Sequence, residues 1–312
     1  MAEGGDTGGA DPARAARLYR RACGMSMAAS CARLGTLYET GRGVAADTRQ
    51  ALDFYRMACD AELAAGCAAF GRLLESGAAG AIDASSAARH YRRACDAGDA
   101  SGCAALGRAM ARKGSSLGDA KQATWLLRKA CEGGDRSGCV DLAVRLERGE
   151  GGPADAVAAV RLLEQSCEAG QARGCGHLAR MLDRGRGADR DQDRAARLRE
   201  RACDGGAADS CAELARLWAA SDQADAMAAR IAGWLRQACE GGLWSGCDEL
   251  GARYERGHGV QSDAPRAIGL YRRACAGGEA SGCTHLGAML EAASRTAVER
   301  AKALSLIHIS EP

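Results

Sequence analysis

Aromatic side chains are nearly missing from these 312 residues: Phe occurs twice, and Phe, Trp and Tyr together make up 4%. A core of Ala and Leu buries little apolar area per residue, so ring burial cannot be what holds this chain together. Lysine occurs only as Lys113, Lys121, Lys129 and Lys302; every other basic residue is arginine. With the excess of Ala and Gly, that reads as a GC-rich coding bias and not as a demand for guanidinium chemistry. Net charge is +2, so no global field draws the chain to nucleic acid or to an anionic surface. No apolar run of about 18 residues occurs, which excludes a membrane-spanning helix. The start, MAEGGDTGGADPARAA, lacks a basic stretch followed by an apolar one and is no signal peptide as it stands.

Cysteine, by contrast, is abundant and regular. The sixteen cysteines fall into pairs: Cys23 and Cys31, Cys59 and Cys67, Cys95 and Cys103, Cys131 and Cys139, Cys167 and Cys175, Cys203 and Cys211, Cys239 and Cys247, and Cys275 and Cys283. The spacing is 8 within a pair and 36 between pairs, with no insertion or deletion. Such self-similarity is the signature of a repeat protein.

Each unit opens on an aspartate (Asp11, Asp47, Asp83, Asp119, Asp155, Asp191 and Asp263), with Met227 the exception. Asp ahead of a helical pattern is an N-cap signal, because its carboxylate accepts orphan backbone N–H groups. In DPARAARLYRRAC, the apolar Ala15, Leu18, Tyr19 and Ala22 follow the spacing of one buried helical stripe. A polar, Gly-bearing link such as DAGDASG follows, and a second helix begins at the second cysteine. Its stripe carries Leu34, matched by Phe70, Leu106, Leu142, Leu178, Leu214, Leu250 and Leu286. The next position is always small: Gly35, Gly71, Gly107, Ala143, Ala179, Ala215, Gly251 and Gly287, which predicts close approach of helices. A turn such as GRGVAA closes the unit, its glycines free to take positive φ. One helix pair cannot bury its own apolar faces, but stacked neighbours can. The expected fold is an all-α, right-handed α/α solenoid over residues 11–298, with 1–10 a flexible segment.

The run GCDELGARYERGHGV within residues 246–275 resembles the Sel1-like branch of tetratricopeptide-type repeats. The cysteine pair at each helix junction resembles the bacterial cysteine-rich Sel1 proteins first grouped from Helicobacter. Departures fall at Met227, where the Asp cap is missing, and at SDQADA (221–226), which lacks the glycine turn. The resemblance implies a protein- or peptide-binding scaffold. It also implies, as the alternative, penicillin binding or weak β-lactamase activity.

The first cysteine of a pair closes one helix and the second opens the next. Antiparallel packing around so short a link can bring Cα atoms within the ~4.4–6.8 Å that a disulfide requires. Bridges are the favoured reading, with buried reduced thiols and metal ligation as the others. Zinc sites favour a gap of about two to four residues between thiolates, and no histidine stands at a fixed offset. No C-x-x-C redox motif occurs. Bridges place the protein in an oxidising compartment, periplasmic or secreted, with the N-terminus read as incomplete; a mitochondrial intermembrane or cytoplasmic location is the alternative.

Residues 299–303 are read as the start of a truncated ninth repeat, but Glu311 stands where its cysteine is due. The string LSLIHISEP (304–312) resembles a translated sequencing-library adapter, so His308 and its apolar neighbours carry no functional argument.

Serine β-lactamase chemistry needs S-x-x-K and K-T-G elements. None of the four lysines follows a serine by three, and K-T-G is missing. The five histidines are scattered; His177 and His285 share a register position three repeats apart, roughly 30 Å at ~10 Å per helix layer, too far for one metal. The adjacent Asp248 and Glu249 read as solvated surface. No metal, cofactor or catalytic set is expected. One constellation stands out on the second helices, which the resemblance to tetratricopeptide-type solenoids places along a concave groove. Arg72, Arg108, Arg180 and Arg216 align, and one turn on lie Arg112, Arg148, Arg184 and Arg256. Arg108 with Arg112, and Arg180 with Arg184, are like-charge i, i+4 neighbours, unfavourable unless an anion intervenes. Two readings follow: a groove that selects carboxylates of an acidic ligand, or a solvated face neutralised by Asp and Glu of the neighbouring repeat. Nucleic acid is disfavoured by the balanced charge and scarce aromatics. The expected protein is a monomeric scaffold with a protein or peptide partner.

Overall fold

The computed structural model describes residues 11–78, 80, 82–112 and 119–307, and side chains as far as 293. The N-terminal segment 1–10 and residues 308–312 of the adapter-like tail lie outside these. The described residues form sixteen helices and no strand, arranged as eight pairs. They are α1 (Pro12–Gly24) with α2 (Ala28–Thr40), α3 (Thr48–Asp60) with α4 (Ala64–Ser76), α5 (Ala84–Asp96) with α6 (Ala100–Ala111), and α7 (Ala120–Glu132) with α8 (Arg136–Arg148). They continue with α9 (Ala156–Glu168) and α10 (Ala172–Arg184), α11 (Gln192–Asp204) and α12 (Ala208–Ala219), α13 (Ala228–Glu240) and α14 (Trp244–Arg256), and α15 (Ala264–Ala276) and α16 (Ala280–Ile307). The chain divides into two compact units, Met1–Leu162 and Leu163–Pro312. Each is a stack of helix pairs, the solenoid that the period of 36 implies.

Within each unit, helices adjacent in sequence pack together, and second helices of successive pairs also touch: α2 with α4, α4 with α6 and α6 with α8 in one unit, α14 with α16 in the other. In these contacts the second helices of successive pairs share one face of the stack, called the inner face.

The leucine column forms the core of seven pairs, where Leu34, Phe70, Leu106, Leu142, Leu178, Leu214 and Leu250 are buried; Leu286 in the last pair is partly buried. The small residue after it makes room for a ring. A Cβ on Gly35 would stand 2.8 Å from the Tyr55 ring, and one on Gly251 would stand 2.7 Å from that of Tyr271. Each ring belongs to the helix that follows, 20 residues on. The hydroxyls of Tyr55, Tyr91 and Tyr271 then donate to Glu39, Glu75 and Glu255 at 2.9, 2.8 and 2.7 Å. Burial pushes the Tyr91 and Tyr271 hydroxyls well above the ordinary tyrosine range, and the adjacent glutamates add to this.

The first-helix stripe follows the expected columns of Ala15, Tyr19 and Ala22 in α3 and departs at the column of Leu18. In α3 the buried set is Ala51, Tyr55, Ala58 and Cys59. In α1 the buried residues are Ala16 and Cys23, and Leu18 is 60% exposed. The position equivalent to Leu18 faces the preceding pair: Phe54 stacks on Tyr38 at 5.5 Å. No described helix precedes α1, so Leu18 has no such surface. At the other end, residues 299–303 fall within α16, which runs unbroken to Ile307. The stretch 291–307 contains neither Gly nor Pro, so nothing in it stops a helix.

The opening aspartates act as caps. Asp11, Asp47, Asp83, Asp119, Asp155, Asp191 and Asp263 each accept from the backbone N–H three residues on, whereas Met227 caps nothing. Asp99 and Asp135 do the same for α6 and α8. Backbone donation from Gln50 and Ser86 holds the Asp47 and Asp83 carboxyls below the usual range. A depressed folded-state value adds stability that is present above the unfolded value of about 4 and is lost as pH falls through the folded one. Denaturation midpoints should therefore fall between pH ~5 and pH ~2. Asp83→Asn, which keeps an acceptor, should flatten part of that fall; an unchanged pH profile would remove the cap from this account.

Candidate functional site

All eight cysteine pairs are bridged in the register that the spacing of 8 predicts. Cys23 bonds to Cys31, Cys59 to Cys67, Cys95 to Cys103 and Cys131 to Cys139. Cys167 bonds to Cys175, Cys203 to Cys211, Cys239 to Cys247 and Cys275 to Cys283. Cα atoms within a pair lie 4.3 to 4.7 Å apart, and none of the described cysteines is free. The readings as reduced thiols or metal ligands fall away with this. Two local features allow so close an approach. The residue before the second cysteine is Gly in six repeats and Ser in two (Ser30 and Ser210). A Cβ on Gly102 would meet that of Ala94 at 2.5 Å. Then an alanine from the next first helix covers the bridge: Ala58 packs on Cys23 and Cys31, Ala94 on Cys59 and Cys67, Ala202 on Cys167 and Cys175, and Ala274 on Cys239 and Cys247. These bridges thus lie within an interface between repeats as well as across a turn.

On the inner face, most of the aligned arginines are engaged by acids from a neighbouring repeat. Arg108 pairs with Asp141 at 3.0 Å, Arg180 with Glu213 at 2.9 Å and Arg216 with Glu249 at 2.9 Å, always 33 residues on. Arg72 runs the other way, bidentate to Glu39 at 2.6 and 2.7 Å. That pair holds the glutamate below and the arginine above their ordinary values. Arg112 pairs with Glu75, and Arg148 lies 3.5 Å from Glu150 at the turn. Arg184 makes no ion pair among the described residues.

Two cavities open on this face. One, about 470 Å³, has alanines (Ala65, Ala68, Ala69 and Ala105) for its floor, with Arg72 and Arg108 at its edge. The other, about 360 Å³, lies among Arg180, Arg184, Arg199 and Arg216 beside Asp183, Glu213 and Leu217. Arg199 was not singled out in the sequence, though the signal is there. It occupies the column held by Tyr55, Tyr91, Leu127, Leu235 and Tyr271, and it is only 5% exposed. Its guanidinium donates to Asp183 and, through Nε at 3.2 Å, to Glu213. Burial pulls its pKa down, but the hydrogen bonds and charges of Asp183 and Glu213 outweigh burial and hold it above the ordinary value.

Asp248, read as solvated surface, is buried instead. It accepts from Ser281 at 2.7 Å and lies 2.7 Å from His285 Nδ1, both one repeat further on. His177 touches Arg180 at 2.8 Å. Among the described residues no cluster of three or more His, Cys, Asp or Glu side chains could hold a metal ion. No helix among them is long and apolar enough to cross a membrane.

Comparison with known proteins agrees with this architecture. No curated protein matches the chain. Among solved structures, a protective antigen of uropathogenic Escherichia coli strains displaying an SLR fold is 25% identical with a TM-score of 0.59, covering 89% of this chain. The chain spans 60% of that antigen's length. A Sel1 repeat protein from Oxalobacter formigenes is 23% identical over 88% of this chain and 79% of its own, with a TM-score of 0.64. Helicobacter pylori cysteine rich protein B is 23% identical over 45% of this chain and 94% of its own, with a TM-score of 0.33. The Sel1 repeat model matches residues 1–26, 28–63, 64–99, 100–135, 137–171, 172–206 and 244–279, and the gap holds the turn without glycine. Matched over most of its length, this chain belongs to the Sel1 repeat family.

Proposed function

We propose that the chain is a non-catalytic, monomeric binding scaffold that works outside the cytosol and takes a protein or peptide segment along its inner face. The observation that carries this reading is the open, alanine-floored cavity between α4 and α6, set on helices that the bridged junctions fix in place. A rigid, preorganised surface loses little ordering entropy on binding. The eight bridges support an oxidising compartment, because thiols stay reduced in the cytosol. The engaged arginines narrow any preference for acidic ligands, since an incoming carboxylate must displace an internal one at most positions.

The test uses immobilised, oxidised protein and the extracellular proteins of its own source. Ala65→Trp, which fills the exposed part of the groove floor, should lose whatever wild type retains. Trp125→Ser, on the first helix α7, should retain it. Equal retention by wild type and both variants overturns the groove reading. Nitrocefin turnover that follows the purified monomer through further chromatography overturns the non-catalytic one.

A further inference from the structure

We infer that the cavity between α10 and α12 is a carboxylate-recognition site, taking an acidic group beside an aliphatic side chain of a peptide. This rests on the groove reading above and assigns the ligand chemistry to one place in it.

The column that Arg199 occupies is otherwise apolar or tyrosine, so a buried guanidinium there is a local departure from the repeat. It does not face solvent, and it stays charged at any working pH. Asp183 and Glu213 are both committed to it, and Glu213 also accepts from Arg180. Neither acid is therefore open to a cationic ligand. The cations are in excess: Arg180, Arg184, Arg199 and Arg216 face Asp183, Glu213 and the Glu249 that engages Arg216. That is four positive charges against three negative.

The surplus falls on Arg184. It stands one turn from Arg180, a like-charge arrangement that an anion between them relieves. Arg216 pairs with one acid, Glu249, and also lines the cavity. Leu217, 51% exposed, and Ala220 make the apolar wall. A carboxylate set between Arg184 and Arg216 gains charge-assisted hydrogen bonds, and an adjoining aliphatic side chain covers Leu217. The cavity near Arg72 lacks this, because Arg72 is held bidentate by Glu39.

The experiment measures fluorescence anisotropy of labelled, amidated Gly-Ser-Leu-Glu-Gly-Ser, the same peptide with Gln for Glu, and Gly-Ser-Gly-Ser-Leu with a free C-terminus. Either carboxylate peptide should bind about tenfold more tightly than the Gln peptide at low salt, and their ranking separates side-chain from terminal carboxylate. Arg184→Ser should remove most of that preference and leave the Gln peptide unchanged. Arg199→Leu, the side chain that Leu235 puts in the same column one repeat on, leaves Asp183 without its cation and Glu213 with Arg180 alone, and should abolish it. Wild-type circular dichroism in both variants shows that the fold is retained. Equal binding of Glu and Gln peptides, or a preference that survives Arg184→Ser, overturns the carboxylate site while leaving the groove reading intact. No binding by any of the three overturns the site as well, and the groove is then judged by Ala65→Trp alone.

Discussion

Reducing the folded protein should unfold it. Each bridge closes a loop with a sequence separation of 8, and in the chain-entropy account such a loop stabilises by about 2.5 kcal/mol. The eight loops do not overlap in sequence, so their contributions add to a first approximation, giving roughly 20 kcal/mol. Domains of ordinary size are stable by only about 5–15 kcal/mol. An Ala-rich core with two Phe has no surplus to set against that loss. Far-UV circular dichroism during titration with a phosphine reductant should show helicity collapse once most bridges are open. Iodoacetamide applied in denaturant before reduction should add nothing to the intact mass. A helical, fully reduced protein, or sixteen labelled thiols in the untreated sample, would remove the bridges from their structural role and the extracytoplasmic assignment with them. Loss of one bridge is the graded form: Cys95→Ser with Cys103→Ser should cost about 2–3 kcal/mol.

Much of this was readable in the sequence because the repeat multiplies every signal. An Asp cap at one position is weak evidence; seven in register predict helix starts, and each is seen to accept its N–H. The cysteine spacing likewise led to the bridges. What the period hides is the partner of each residue. The small residue after Leu34 was legible as a need for space, but Tyr55, whose ring fills that space, sits in another helix 20 residues on. The arginine column was legible, and so were acids 33 residues beyond Arg108, Arg180 and Arg216; only the packing shows that they meet, and that Arg72 turns back to Glu39. Arg199 and Asp248 look like surface residues by type and are buried, because Asp183 and Glu213 answer the one and Ser281 and His285 the other. Pattern reading takes a charged residue to be exposed, and burial of a paired charge is a tertiary fact. Leu18 errs the other way, since exposure depends on which surface a neighbour supplies.

Gly151→Ala should be among the most damaging single substitutions in the chain, although the residue lies in a turn. Gly151 has φ +82, a region that costs an L-residue about 1–2 kcal/mol. An added Cβ would also stand 2.2 Å from the Ala120 carbonyl oxygen and 2.6 Å from Thr124 Oγ1. Those two atoms are the acceptors for Arg145, which is 6% exposed: its Nη2 donates to Ala120 O at 2.9 Å and its Nε to Thr124 Oγ1 at 2.7 Å. Thr124 in turn donates to the Glu150 carbonyl at 2.7 Å, and Arg145 Nη1 reaches the Glu150 carboxylate at 2.9 Å. One methyl group therefore acts on the turn, the start of α7 and a buried guanidinium together. Strain, overpacking and disturbance of a buried charge combine to about 3–5 kcal/mol. Gly152→Ala is the internal control: a Cβ there meets nothing within 4 Å, and its φ is not positive, so it should cost little. Urea midpoints of the two variants decide the matter. If they fall together, neither the close contact between the turn and α7 nor the positive φ is what requires glycine at 151.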